Sequence, residues 1–153
     1  MFVDTFKGFA PALAATMVHS HLAGVLAGGA AVLGHWRPIF LGFKRGGKIV
    51  ATTGGAFLGF APIVGGIAAA IFFALLLLTR YVSLSAILTA LSLPAVAALL
   101  DYPWPVIAFA GATAAGIVWL HRTNIKRLLH HEEPKAVMPW TRSRGAPSSG
   151  PAA

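Results

Sequence analysis

The chain contains no cysteine. A disulfide framework, a thiolate metal site and a cysteine nucleophile are therefore excluded. Charge is scarce as well: Asp, Glu, Lys and Arg make up 10% of the residues, against about 25% in a soluble domain. A chain this poor in charge cannot cover a globular surface with polar groups. Carboxylates are scarcest of all, with only Asp4, Asp101, Glu132 and Glu133. None has a plausible Mg²⁺-binding context, and no cofactor is implied. The apolar/polar alternation of a membrane barrel strand is missing too, since Ile63 to Leu78 is continuously apolar.

What is present is hydrophobicity in blocks. Of the 153 residues 57% are hydrophobic, and the mean hydropathy is +0.76. Long unbroken apolar runs mark lipid-facing helices. The fold class is therefore an all-α, polytopic transmembrane helical bundle. The N-terminus lacks the order of a signal peptide, because Asp4 precedes Lys7. The net charge is +8 and the pI about 11.0. In short loops and a tail, such charge follows the positive-inside pattern and faces anionic headgroups. It argues for membrane lipid as a partner and against nucleic acid.

Counting the crossings refines the bundle. Arg37 to Lys48 and Arg122 to Arg144 are both strongly basic, so both are expected on the cytoplasmic side. An even number of crossings must lie between them, yet only three obvious segments do. The conflict disappears if Ile49 to Thr79 breaks near Pro62 and crosses twice. Its first half, Ile49 to Phe60, would be a helix of about 18 Å, shorter than the roughly 30 Å hydrocarbon core and acceptable only if shielded by protein. By the same logic Gly8 to Leu33 is two short helices around His19-Ser20-His21. Six full or partial membrane segments result. Residues 1–133 form the membrane domain. Residues 134–153, rich in Pro, Ser, Gly and Ala, read as a disordered cytoplasmic tail. Gly24-x-x-x-Gly28 and Gly55-x-x-x-Gly59 allow close helix approach.

Two polar segments look chemical. The first is GHWRPIFLGFKRGGKIVAT, Gly34 to Thr52. Gly46 and Gly47 can turn backbone N–H groups toward one point. Lys48 adds a point charge suited to phosphate, the helix starting near Val50 offers its positive end, and Thr52 adds a hydroxyl. The bland alternative is a basic loop that only sets topology. Gly42-x-x-x-x-Gly47-Lys48 matches most of an NTPase phosphate loop, but Ile49 stands where Ser or Thr must be, and an apolar helix precedes it instead of a strand. The NTPase reading is rejected. The second segment is His121 to Arg127. On a helix His121, Asn124 and Leu128 share a face, with Arg127 near Asn124. Its alternative is a basic helix end anchored in headgroups. The six histidines do not converge in a metal-binding spacing.

These residues resemble a known family. GHWRPIFLGFKRGGKIVAT is similar to the second motif of the bacterial integral-membrane glycerol-3-phosphate acyltransferases that take acyl phosphate as donor, the PlsY family. HRTNIKRLLHHEE, from His121 to Glu133, is similar to the third motif. Val82 to Ser85 and Asp4 to Gly8 also match short family signatures. Together they span about Val3 to Glu133. There are departures. The first helix and the Ser-Gly-Asn-rich first motif are not in this sequence, and a start codon chosen too late is one expected explanation. Arg45 is inserted. Ile49 replaces a glycine, so the phosphate cradle is expected to differ in shape. His131-Glu132 replaces Gly-Thr.

The resemblance implies a seven-helix membrane fold and transfer of a fatty acyl group from acyl phosphate to the 1-hydroxyl of glycerol 3-phosphate, giving lysophosphatidate. By matching positions, Gly46, Gly47, Lys48, Thr52 and Arg127 would hold phosphate. His121, Asn124 and Glu133 would be catalytic, with His121 the best general base by intrinsic pKa and a substrate phosphate oxygen the alternative. His35 would be structural or a distant support. The implied location is the bacterial plasma membrane, multi-pass, with site loops and C-terminus cytoplasmic. No His-x-x-x-x-Asp occurs, which argues against the other large glycerol-phosphate acyltransferase family. The competing readings are an inactive remnant of the family and a small membrane transporter or assembly subunit.

Overall fold

The computed structural model describes residues 2–37 and 48–137. They form seven helices: α1 (Phe2–Val18), α2 (His21–Trp36), α3 (Val50–Phe60), α4 (Pro62–Thr79), α5 (Val82–Leu99), α6 (Trp104–Leu120) and α7 (Arg122–Leu129). No strand occurs among the described residues. Six of the helices are apolar, and α7 is short and polar. By length and composition α4 and α5 can each cross a bilayer, and α6 passes the same test together with α7 as a pair bent by 60°.

The expected breaks are present, each with a local cause. Ala61 adopts φ −145° and ψ 70° between α3 and α4, because the residue before a proline is driven out of the helical region. Pro62 then opens α4, where its missing N–H costs nothing. Ser20 caps α2 by accepting from the Ala23 N–H at 3.3 Å. The α4–α5 corner turns on Arg80 with φ 62°. The α5–α6 corner turns on Asp101 with φ 53°, followed by Pro103 and Pro105. One boundary differs from expectation: α1 starts at Phe2 rather than near Gly8. Asp4 in its first turn suits the positive end of the helix dipole, so a charge there does not end the helix.

Helix α3 is the centre of the bundle. It packs on α1, α2 and α4; α4 continues to α5, α5 to α6, and α6 closes back on α2. Eleven residues give α3 a length of about 16 Å, too short to span alone. Seven of the eleven are buried: Thr52, Thr53, Gly55, Ala56, Phe57, Gly59 and Phe60. The short helix is thus shielded by protein, as its sequence requires. Its glycines make this possible. A Cβ at Gly55 would collide with the Thr5 carbonyl of α1, and one at Gly59 would lie 2.7 Å from the Phe9 carbonyl. Gly8 of α1 answers from the other side, against the Thr52 carbonyl. Gly24 and Gly28 of α2 approach Phe60 and Ala56 in the same way. Phe57, Phe60 and Phe109 then stack with centroids 5.1–5.4 Å apart as the apolar core.

Candidate active site

The polar residues gather at one end of the bundle, where α3 begins, α5 begins and α6 ends. Lys48 precedes α3, and its Nζ donates to Asn124 Oδ1 at 2.9 Å. Asn124 projects from α7, and its Nδ2 donates to Glu133 Oε1 at 2.7 Å. Ser83, in the first turn of α5, donates to the same Oε1 at 2.6 Å. The amide of Asn124 is therefore oriented without ambiguity, with its oxygen toward a cation and its nitrogen toward a carboxylate. Glu133 Oε2 is buried and has no partner. Because α3 starts and α6 finishes at this end, four helices lie between the two basic segments, the even number the charge pattern demanded.

Glu133 is held in place by the chain that follows it. The Ala136 N–H donates to the Arg80 carbonyl at 2.7 Å. Arg80 Nη2 returns a bond to the Ala136 carbonyl at 3.3 Å. The Lys135 ammonium sits 5.7 Å from the Tyr81 ring centre. The tail proposed to start at Pro134 is described only as far as residue 137, and residues 138–153 lie outside the described residues.

Electrostatics follow from these neighbours. Burial resists ionisation of Glu133, but the Ser83 and Asn124 hydrogen bonds and the Lys48 and Arg127 charges outweigh it, so its pKa is lowered. Arg127 itself is exposed. His121 is 2% exposed. Its pKa is lowered, first by burial and further by the Lys48 charge; the bond to Ile117 and the Glu133 charge oppose this. Its Nδ1 lies 2.8 Å from the Ile117 carbonyl. A carbonyl only accepts, so Nδ1 carries the proton and Nε2 keeps its lone pair.

The structure brings Lys48, Asn124 and Glu133 into contact and sets His121 and Arg127 within electrostatic range. It separates others. The chain bends by 60° at His121, so that residue caps α6 and does not share the α7 face with Asn124 as a continuous helix would require. Thr52 is fully buried, with its hydroxyl unpartnered. Gly46 and Gly47 lie outside the described residues. Ile49 has φ −72°, which any residue adopts, and its side chain is buried beside Val32, Ala114, Ile117 and Leu120. His35 pairs with Asp4 at 3.6 Å and joins the ends of α2 and α1. Ser83 is a site member that was not assigned from sequence. Its signal was a Ser-x-Ser pair opening an apolar helix; Ser85 bonds locally to the Tyr81 carbonyl, while Ser83 reaches outward.

Beside this cluster lies an apolar cavity of about 280 Å³. Val50 and Ala51 border it next to Lys48, and Leu58, Phe72 and Leu93 line it further in. Thr53 and Thr89 add two unpartnered hydroxyls to its walls.

A polar end joined to an apolar cavity has relatives. The family model for glycerol-3-phosphate acyltransferase matches residues 1–131. This chain belongs to that family. It is 42% identical to the glycerol-3-phosphate acyltransferase of Staphylococcus saprophyticus, over 88% of this chain and 70% of that one. It is also similar to crystal structures of PlsY (YgiH), an integral membrane glycerol 3-phosphate acyltransferase. For the glycerol 3-phosphate form the TM-score is 0.86 and the identity 34%, covering 94% of this chain and 72% of that chain. For the lysophosphatidic acid form the TM-score is 0.82 and the identity 37%, covering 88% and 69%. The helical architecture of this family member is thus that of an integral membrane protein.

Proposed function

We propose that this acyltransferase moves a fatty acyl group from acyl phosphate to the 1-hydroxyl of glycerol 3-phosphate. The observation that carries the reading is the chain of contacts Lys48–Asn124–Glu133–Ser83 beside an apolar cavity, in a member of this family. Acyl phosphate has one phosphate and one long apolar tail. The polar end suits the first and the cavity between α3, α4 and α5 the second.

The substrate hydroxyl oxygen attacks the acyl carbon, the bond from that carbon to the phosphate oxygen breaks, and inorganic phosphate leaves. The hydroxyl proton goes to His121 Nε2 or to a phosphate oxygen. Phosphate is a good leaving group, so the protein mainly positions and neutralises charge. Lys48, with Gly46 and Gly47 before it, is assigned to phosphate, and Arg127 to the second phosphate at the rim. Thr52, with its unpartnered hydroxyl one turn into α3, is assigned to the same phosphate. Asn124 and Glu133 orient Lys48. The buried Glu133 Oε2 is available to a substrate hydroxyl. The site-bearing end is assigned to the cytoplasmic face of a bacterial plasma membrane, because the basic segments lie there.

The test is lysophosphatidate formation by the full chain in vesicles, supplied with palmitoyl phosphate and labelled glycerol 3-phosphate. Lys48→Ala is expected to lower the rate by at least roughly 10²-fold, the scale for removing one charge-stabilising group. Normal turnover in that variant would remove the phosphate assignment, and no product from the unmodified chain would reject the activity.

A further inference from the structure

A second apolar cleft, of about 320 Å³, lies between α2 and α6. Val32, Leu33, Ala112 and Gly116 form its walls. At its polar end Trp36 and Trp119 meet edge to face, with centroids 6.1 Å apart and planes at 82°. Each indole carries a guanidinium on its face: Arg37 at 5.0 Å from the Trp36 centre and Arg122 at 4.8 Å from the Trp119 centre. Arg122 also donates to the Trp119 carbonyl at 3.2 Å. The Trp36 indole N–H is buried and has no acceptor in reach among the described residues. An indole nitrogen can only donate, so it calls for an acceptor beyond the described residues.

We propose that this cleft binds an anionic phospholipid. One acyl chain lies between α2 and α6, the phosphate sits between Arg37 and Arg122, and a headgroup or ester oxygen accepts from Trp36 Nε1. Charge selects the ligand. Two guanidinium groups fixed on aromatic faces complement a net negative headgroup, whereas a zwitterionic lipid brings its own cation against them. The apolar cleft selects a lipid over soluble phosphate, and paired tryptophans suit headgroup depth. Ile49 lines the cleft beside Lys48, so the lipid touches the residue adjoining the polar cluster. The inference needs only the membrane setting and does not depend on the acyl-transfer reading.

The full chain in neutral detergent is titrated with phosphatidylglycerol and with phosphatidylcholine of identical chains, followed by native mass spectrometry. Phosphatidylglycerol is expected to bind about tenfold more tightly or better, the scale of one charged hydrogen bond. Arg122→Gln and Trp36→Phe should each reduce that preference, Arg122→Lys should keep most of it, and Ala112→Trp should weaken both lipids by filling the cleft. Circular dichroism checks that each variant folds, and Trp36→Phe, which keeps an aromatic ring, decides the matter if Arg122→Gln does not. Equal affinity for the two lipids would overturn the proposal, as would an unchanged preference in both variants. Undiminished binding of both lipids by Ala112→Trp would overturn the assignment to this cleft.

Discussion

Lys48, Asn124 and Glu133 are joined so that each group fixes the next. Asn124 accepts from a cation and donates to a carboxylate, a double task that neither Asp nor Ala can perform. Asn124→Asp would keep the contact to Lys48 but set a second negative charge against Glu133. We expect it to lower acyl transfer as much as Asn124→Ala does, measured as labelled lysophosphatidate. Ser83→Ala removes one of two bonds to Glu133 Oε1. A hydrogen bond to a charged group is worth about 1.5–3 kcal/mol, so a rate loss of roughly tenfold or more is expected. Protonation acts on the same residues. Both lowered pKa values make the folded state bind fewer protons than the unfolded chain. His121 withdraws stability as pH falls from its ordinary value of 6.5 toward its lowered one. Glu133 withdraws it as pH falls below 4.5 through its own lowered pKa. The melting temperature in detergent should therefore fall in acid, and Glu133→Gln should flatten only the part of that fall below about pH 4.5. Lys48, Asn124 and Glu133 were legible because they stand in two dense polar motifs. Ser83 was not assigned, since a serine in an apolar helix usually bonds its own backbone, as Ser85 does here. Only the fold shows that residue 83 faces residue 133.

At the scale of the helix, α3 depends on what surrounds it. Gly55→Leu would drive a side chain into the α1 backbone at Thr5. Backbone cannot yield as a side chain can, so we expect a loss at or above the roughly 1–3 kcal/mol typical of overpacking, read as a lower melting temperature or failed insertion. Gly66→Ala, on the open face of α4 where a Cβ meets nothing within 4 Å, should be neutral or stabilising. The break that isolates α3 was legible because proline acts on its neighbour through local sterics. The start of α1 was not, because apolar runs mark lipid contact, whereas a helix also continues through charged turns outside the hydrocarbon. The bend at His121 was equally hidden: a helical face can be drawn through any polar stretch, and no proline or glycine marks this one.

At the scale of the molecule, the absence of cysteine gives a clean way to test sidedness. Asp101 precedes α6, and Lys126 lies on α7, beyond the other end of α6. With an impermeant maleimide on intact cells, Asp101→Cys should label at once and Lys126→Cys only after permeabilisation. The reverse pattern would place the polar cluster outside the cell. The even number of helices between the two basic segments was legible from charge alone, but which helices close the ring was not, because contacts such as α2 on α6 join residues far apart in sequence. The clasp between Arg80 and Ala136 carries one more consequence, in the time order of synthesis. A ribosome makes the chain from its N-terminus, so α1 to α6 have all been synthesised before residue 133 exists. Lys48 and Ser83 wait in the membrane for a carboxylate that arrives last and is fastened by the residues just behind it. The polar cluster is thus completed late, and a nascent chain that already contains α1 to α6 still lacks the group that joins them.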